Sequence, residues 1–261
     1  MIELAPILEK AKAYREKGNL EAAIAVLKDG LEEFDSEPEF LTQLGYCYLL
    51  NKDNENAALN FLKANDVYFT RGVMCLQQDK FSGGIENFKN AIKVKPDDYE
   101  AYNNLGLALV GKERFDSAIE SYNKAIEIKP NYATAYNNLG EALRASGDLD
   151  SAIKSLKKAI EVKPDYSSAH SNLGVAFTEK GDLNAAITSY ERALIINPDD
   201  FETNYNLGIA FAKNDNSDRA LELYKKVIHI RPDFADAYKN VAEIFQARGD
   251  IEAALEHYKK A

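Results

Sequence analysis

Three histidines, two cysteines, two aspartate pairs and a glycine pair are the groups in this 261-residue chain that could carry chemistry. His170, His229 and His257 have no second histidine or cysteine at metal-ligand spacing, so no metal site is expected. Cys47 and Cys75 sit at core-facing positions of helical patterns and read as small buried hydrophobes without a disulfide. Asp97-Asp98 and Asp199-Asp200 resemble paired carboxylates, but each pair follows a proline where a helix begins. Capping and the helix dipole account for both. Gly83-Gly84 lacks the Lys-Ser/Thr that completes a phosphate loop. No Ser-His-Asp or Cys-His arrangement emerges, so the chain reads as non-catalytic, with no cofactor. One polar pattern remains. Asn104, Asn138, Asn172, Asn206 and Asn240 recur at intervals of 34 residues. A carboxamide offers donors and an acceptor, as a peptide backbone does.

Five amides can act together only if the elements that carry them repeat with the same period. Pro96, Pro130, Pro164, Pro198 and Pro232 are each 34 residues apart. A period in this range marks a solenoid, in which one supersecondary unit is stacked repeatedly. Gly106, Gly140, Gly174 and Gly208, each preceded by leucine, keep the same register. So do Ala118, Ala152, Ala186, Ala220 and Ala254, with Tyr122, Leu156, Tyr190, Tyr224 and Tyr258 four residues on. Tyr102, Leu105 and Leu109 follow 3, 4 spacing and form the buried stripe of a first helix; Ala118, Tyr122 and Ala125 form that of a second. Glycine and alanine at facing positions allow close approach, and the large residues fill the gaps. Each proline ends the second helix. The residue after it, Asp97, Asn131, Asp165, Asp199 or Asp233, is expected to cap the next helix. Gly147-Asp148, Gly181-Asp182 and Gly249-Asp250 mark turns inside their units.

This resembles the tetratricopeptide repeat, whose pattern is aromatic-x-x-Leu-Gly-x-x-aromatic, then Ala-x-x-x-aromatic, then Pro; one unit here reads Tyr102, Leu105, Gly106, Leu109, Ala118, Tyr122, Ala125, Pro130. The resemblance implies an all-α fold, a right-handed α-solenoid superhelix of about eight stacked helix-turn-helix units. Six units over 65–261 start near residues 65, 99, 133, 167, 201 and 235, the last one truncated. Residues 1–64 hold two divergent units. In the unit from 65, Arg71 replaces the leucine, and Gly83 and Gly84 weaken the second helix. Only 27 residues separate the starts at 38 and 65, and no proline closes that unit, so either the linker near Asn65 is tight or one helix runs on. A hinge at 64/65 is the functional alternative to a simple deletion.

In such a fold the first helices line the inner face, and the residue before each leucine points into it. The resemblance therefore makes the five asparagines a ladder, similar to that of the repeat domain of the O-linked N-acetylglucosamine transferases, where such amides hold substrate backbones. Asn103 and Asn137 lie beside two of its rungs, Leu107, Val175 and Ile209 one turn along, and Tyr205 and Lys239 at the far end. These twelve residues are the expected peptide-binding surface. Cochaperone repeats clamp acidic carboxyl termini with two lysines, two asparagines and an arginine. The matching positions here, Asn103, Leu107, Asn138, Ser168 and Asn172, lack the basic residues. In the last three units Asp236 would repel a carboxylate, so no chaperone tail is expected to bind.

Thirty-two basic against 42 acidic residues give a net charge of −10, which disfavours nucleic acid. No signal peptide or membrane span is visible, and free cysteines suit a reducing compartment, so a cytoplasmic location is expected. The chain stops at Ala261, five residues before its next proline would fall. The expected role is a scaffold binding an extended protein or peptide segment in the groove. The alternatives are a targeting or regulatory arm of a longer enzyme, such as a glycosyltransferase, and self-association through the solenoid ends.

Overall fold

The structure, a computed structural model, describes residues 4–261. Its described residues form fifteen α-helices and no strand. The chain divides into two units, Met1–Pro130 and Asn131–Ala261. The first holds α1 (Leu4–Glu16), α2 (Leu20–Glu33), α3 (Pro38–Leu50), α4 (Asn54–Gln77), α5 (Phe81–Val94), α6 (Tyr99–Val110) and α7 (Phe115–Ile128). The second holds α8 (Ala133–Ala145), α9 (Leu149–Val162), α10 (Ser167–Lys180), α11 (Leu183–Ile196), α12 (Phe201–Lys213), α13 (Ser217–Ile230), α14 (Ala235–Ala247) and α15 (Ile251–Tyr258).

Within a pair, the glycine of the first helix sits under the bulky residue of the second. A methyl group on Gly106 would come within 2.5 Å of the Tyr122 ring. On Gly140 it would come equally close to Leu156, and on Gly174 to Tyr190. Each such side chain is fully buried, and burial of a leucine or phenylalanine side chain stabilises by about 1.5–3 kcal/mol. The alanine stripe of the second helices, Ala118, Ala152, Ala186 and Ala220, is also completely covered.

Sixteen helices would make eight pairs; the described residues form fifteen because α4 does two jobs. Its buried residues Ala57, Ala64, Tyr68 and Gly72 lie on one continuous 3, 4 stripe, so the second-helix and first-helix patterns are in phase. Leu62 stands where the period would place a proline, and the helix runs unbroken through residues 64 and 65. Arg71, in the leucine slot, pairs with both Glu37 oxygens at 3.0 Å.

The expected caps are displaced by one residue. Lys95–Asp98, Lys163–Tyr166, Asn197–Asp200 and Arg231–Phe234 each close a turn by a hydrogen bond from the fourth residue's N–H to the first carbonyl. Proline takes the second place in that turn, which suits its fixed φ. Asp97, Asp165, Asp199 and Asp233 therefore occupy the third place, and the cap is the residue after. Asp98 and Asp200 accept from Ala101 N and Thr203 N, whereas α8, α10 and α14 follow Tyr132, Tyr166 and Phe234, which make no side-chain cap bond. Inside the pairs the glycine-aspartate turns form as expected. Asp148, Asp182 and Asp250 cap α9, α11 and α15.

Candidate functional site

In the unit Asn131–Ala261 the first helices α8, α10, α12 and α14 stand side by side. Asn172 Nδ2 donates to Asn137 Oδ1 at 3.0 Å, joining α10 to α8. Ser171 and Thr203 share a hydroxyl bond of 2.7 Å between α10 and α12. Asn240 Nδ2 donates to Tyr205 Oη at 3.1 Å, joining α14 to α12. The amides expected as a ladder are thus partly engaged with neighbouring helices. Asn172 also interacts with Glu141 and Asn240 with Tyr224, and Asn138 Oδ1 accepts from Asn137 at 3.3 Å. These bonds use the N–H groups of Asn172 and Asn240, so the capacity each keeps lies chiefly in its carbonyl oxygen with two lone pairs. Asn206 makes no side-chain hydrogen bond among the described residues and is half-buried.

In the unit Met1–Pro130, Asn104 donates to the Glu100 carbonyl of its own helix at 3.0 Å, and Leu107 is exposed. Asn103 and Asn137 are not surface groups. They are 3% and 4% exposed, and Asn137 serves as the support for Asn172. Two residues ahead of the recurring leucine, the side chain points between helices instead of outward. Val175 is half-buried against the Tyr190 and Leu207 cluster, so it is floor more than rim. Lys239 is exposed and faces Glu243 on its own helix at 3.9 Å.

Three of the expected residues meet at one place. Tyr205, Ile209 and Asn240 border a cavity of about 500 Å³ open at the face of α12 and α14. Ala212 and Lys213 extend its α12 side, Ser217 and Tyr224 of α13 form its back, and Glu243, Ile244 and Ala247 complete the α14 side. The Tyr205 and Tyr224 rings are 5.8 Å apart. Partial burial raises the Tyr205 hydroxyl above its ordinary pKa, and the charges of Asp236 and Glu243 add to this. Burial raises Tyr224 as well, with Tyr205 and Glu243 adding to it. Both phenols therefore stay protonated. Sequence reasoning missed Glu243 and the two alanines. The signal for the alanines was readable as small residues in repeat positions that carry larger ones elsewhere.

Farther along the same face, protein crowding raises Glu141 above the ordinary carboxylate range, against the opposing charge of Arg144. Its side chain remains open to solvent, so the effect on stability is small. Among the described residues no group of three or more His, Cys, Asp or Glu is placed to hold a metal ion. Among the described residues no helix is long and apolar enough to cross a membrane. Cys47 is buried and both cysteines are free thiols. His170 Nε2 lies 3.0 Å from the Pro164 carbonyl, a local packing contact.

Family models described as tetratricopeptide repeats match residues 8–66, 100–165 and 205–261, and one described as a TPR repeat matches 72–112 and 174–215. No curated protein matches the chain. Among solved structures, MamA is 30% identical with a TM-score of 0.57, over 60% of this chain and 91% of that one. YrrB, described as a TPR protein with an unusual peptide-binding site, is 25% identical with a TM-score of 0.56, over 66% of this chain and 89% of that one. PilF of Pseudomonas aeruginosa shares the fold at 19% identity and a TM-score of 0.68, over 76% of this chain and 90% of that one.

Proposed function

The chain belongs to the tetratricopeptide-repeat family, and from that premise we propose that it is a protein-interaction scaffold whose first-helix face over α8, α10, α12 and α14 binds an extended polypeptide segment. The observation that carries this is the open cavity bordered by Tyr205, Ile209 and Asn240, beside an Asn206 amide with no internal partner. Amides along the face offer donors and acceptors to a backbone, at about 0.5–1.5 kcal/mol net for each bond made. The apolar cavity adds a place for one side chain, which polar bonds alone would not supply. Asn138, Asn172, Asn206 and Asn240 are the rungs in this reading, with Asn172 and Asn240 held in place by the bonds they already make. The partner is a protein segment other than a chaperone tail, the role is non-catalytic, and the location is cytoplasmic. The grouping of residues 1–64 as two divergent repeats and 65–261 as six belongs to the same reading.

A photo-crosslinking residue at position 206 tests it. Capture of a polypeptide segment there, and not from a matched position at Lys154 on α9, is the expected result. The synthetic segment should then bind Asn206→Ala about two- to tenfold more weakly than the parent, since one hydrogen bond is lost and no internal bond changes. Equal capture at both positions, or an unchanged affinity, would sink the reading. A second reading has its own observation. Ile251 and Leu255 of α15 are each 54% exposed, an apolar stripe open to self-association. Sedimentation across a dilution series decides it; a single monomeric species throughout removes it.

A further inference from the structure

The cavity between α12 and α14 is a gap that the same repeat fills elsewhere. Between α8 and α10 the corresponding space is spanned by Arg144 and Glu179, whose Nη1 and Oε1 are 2.6 Å apart. Sixty-eight residues on, two full repeats, the same positions are Ala212 and Ala247. Both line the cavity. Two methyl groups stand where the earlier repeats carry an arginine and its acid, and no such strut spans the gap.

We propose that this cavity accepts the arginine side chain of a partner polypeptide, its aliphatic stem over Ile209, Ala212 and Ala247 and its guanidinium between Tyr205 and Glu243. This rests on the reading of the first-helix face as a polypeptide-binding surface and names the residue that surface selects. The space vacated is that of an arginine side chain and its acid. Its walls suit the stem, because an arginine buries its methylenes against apolar surface and keeps its head in a polar setting. The rim suits the head. Glu243 is half-exposed and its ion-pair partner, Lys239, stands 3.9 Å away on the same helix, a looser ion pair than the others among the described residues of α12–α15. Asp236 and Glu243 both act electrostatically on Tyr205, so that end of the cavity is negative. The Tyr205 ring adds a face on which a guanidinium stacks. Lys213 brings a positive charge, but it lies eight residues beyond Tyr205 on α12, about 12 Å along the axis at 1.5 Å per residue. The guanidinium is placed at the opposite, acidic end.

The probes are N-acetyl-L-arginine methylamide and its citrulline counterpart, which keeps the shape and loses the charge. Binding is read from the methyl signals of Ala212 and Ala247 in protein labelled with ¹³C at alanine methyls. The arginine probe is expected to shift both signals saturably, and the citrulline probe to bind about tenfold more weakly. Glu243→Gln should erase that difference while the melting temperature stays unchanged. Ala212→Arg combined with Ala247→Glu rebuilds the strut found between α8 and α10 and should abolish binding. Because Glu243 is on the surface, its variant keeps the test decisive should the rebuilt strut disturb folding. Equal affinity for the two probes, or shifts that ignore Glu243, overturn the proposal. Its failure is separable from that of the broader reading. A captured segment that binds the rebuilt-strut variant undiminished but loses affinity in Asn206→Ala leaves the face a polypeptide site without an arginine pocket. An arginine probe that binds as expected, on a protein that captures no segment at position 206, leaves the pocket standing alone.

Discussion

Glu39 shows how one side chain reports on its surroundings. Tyr68 donates to Oε1 at 3.0 Å, while Oε2 is buried without a hydrogen-bond partner. Burial, with Glu37 adding to it, raises the Glu39 carboxyl above its ordinary 4.5. Glu37 goes the other way, held low by its hydrogen bonds from Arg71. The two signs oppose. A raised Glu39 binds a proton more tightly in the fold than in the unfolded chain, so its contribution is present below about pH 4.5 and is lost as pH climbs through the raised value. Glu37 contributes above the ordinary range and loses its contribution as pH falls through the lowered value. Glu39→Gln keeps an acceptor for Tyr68 and removes the ionisation. Thermal melts should place it above the parent at pH 7, by under about 1 kcal/mol given its solvent contact, with the gap closing toward pH 4. A gap that widens on acidification would contradict this. Glycines give a sharper contrast. Gly84 occupies the alanine slot of its repeat, and a methyl there would lie 3.6 Å from Ala108 Cβ, an ordinary contact. Gly84→Ala should stabilise by about 0.5–1 kcal/mol through helix propensity. Gly140→Ala, whose methyl would meet Leu156 at 2.5 Å, should destabilise by about 1–3 kcal/mol. Urea titrations of both variants check the opposite signs.

Among the helices, α4 is the departure from the repeat, and its polar lock tests how it holds its place. Asn65, buried in α4, donates to Asp98 Oδ2 at 2.9 Å and to the Ala91 carbonyl at 3.3 Å. Asp98 Oδ1 meanwhile caps α6. One aspartate therefore joins the long helix to the start of the next first helix. Asn65→Ala leaves a buried carboxylate oxygen short of its donor and should cost about 1–3 kcal/mol; a double-mutant cycle with Asp98→Ala should show coupling above about 0.5 kcal/mol. Additive losses would mean the two residues act separately. This helix also marks where the sequence was legible. The missing proline and the short spacing allowed a helix to run on, and the unbroken stripe from Ala57 to Gly72 is the physical reason it does. The caps were misplaced because a four-residue turn around proline was invisible to a one-residue rule. The site divided similarly. Tyr205, Ile209 and Asn240 were readable from register alone, since repeat position fixes which face a residue takes. That Asn137 is buried and that Ala212 and Ala247 leave a cavity depend on volumes across two helices, which spacing along one chain does not encode.

At the scale of the whole chain, stability is distributed by neighbours, since each repeat is held by the repeats beside it. In α15 the second-helix residue is less covered than in the repeats before it. In the repeat position of Tyr258, Tyr122, Leu156, Tyr190 and Tyr224 are at most 2% exposed, whereas Tyr258 is 39% exposed. The same chemical change should therefore read differently at two places. Asp148 and Asp250 each follow a glycine and cap a second helix, accepting from Ser151 N at 3.1 Å and Ala253 N at 3.0 Å. Removing either cap costs its helix about 1 kcal/mol. In α9, flanked on both sides, that cost must appear in the cooperative transition, so Asp148→Ala should lower the urea midpoint. In α15, where Ile251, Leu255 and Tyr258 are exposed, local opening is expected to be easier, so Asp250→Ala should leave the midpoint in place and speed amide hydrogen exchange from Ala254 to Tyr258 about fivefold, the factor that 1 kcal/mol of local opening implies. If both variants shift the midpoint equally, α15 is as tightly coupled as α9, and neighbour-limited stability does not describe this chain.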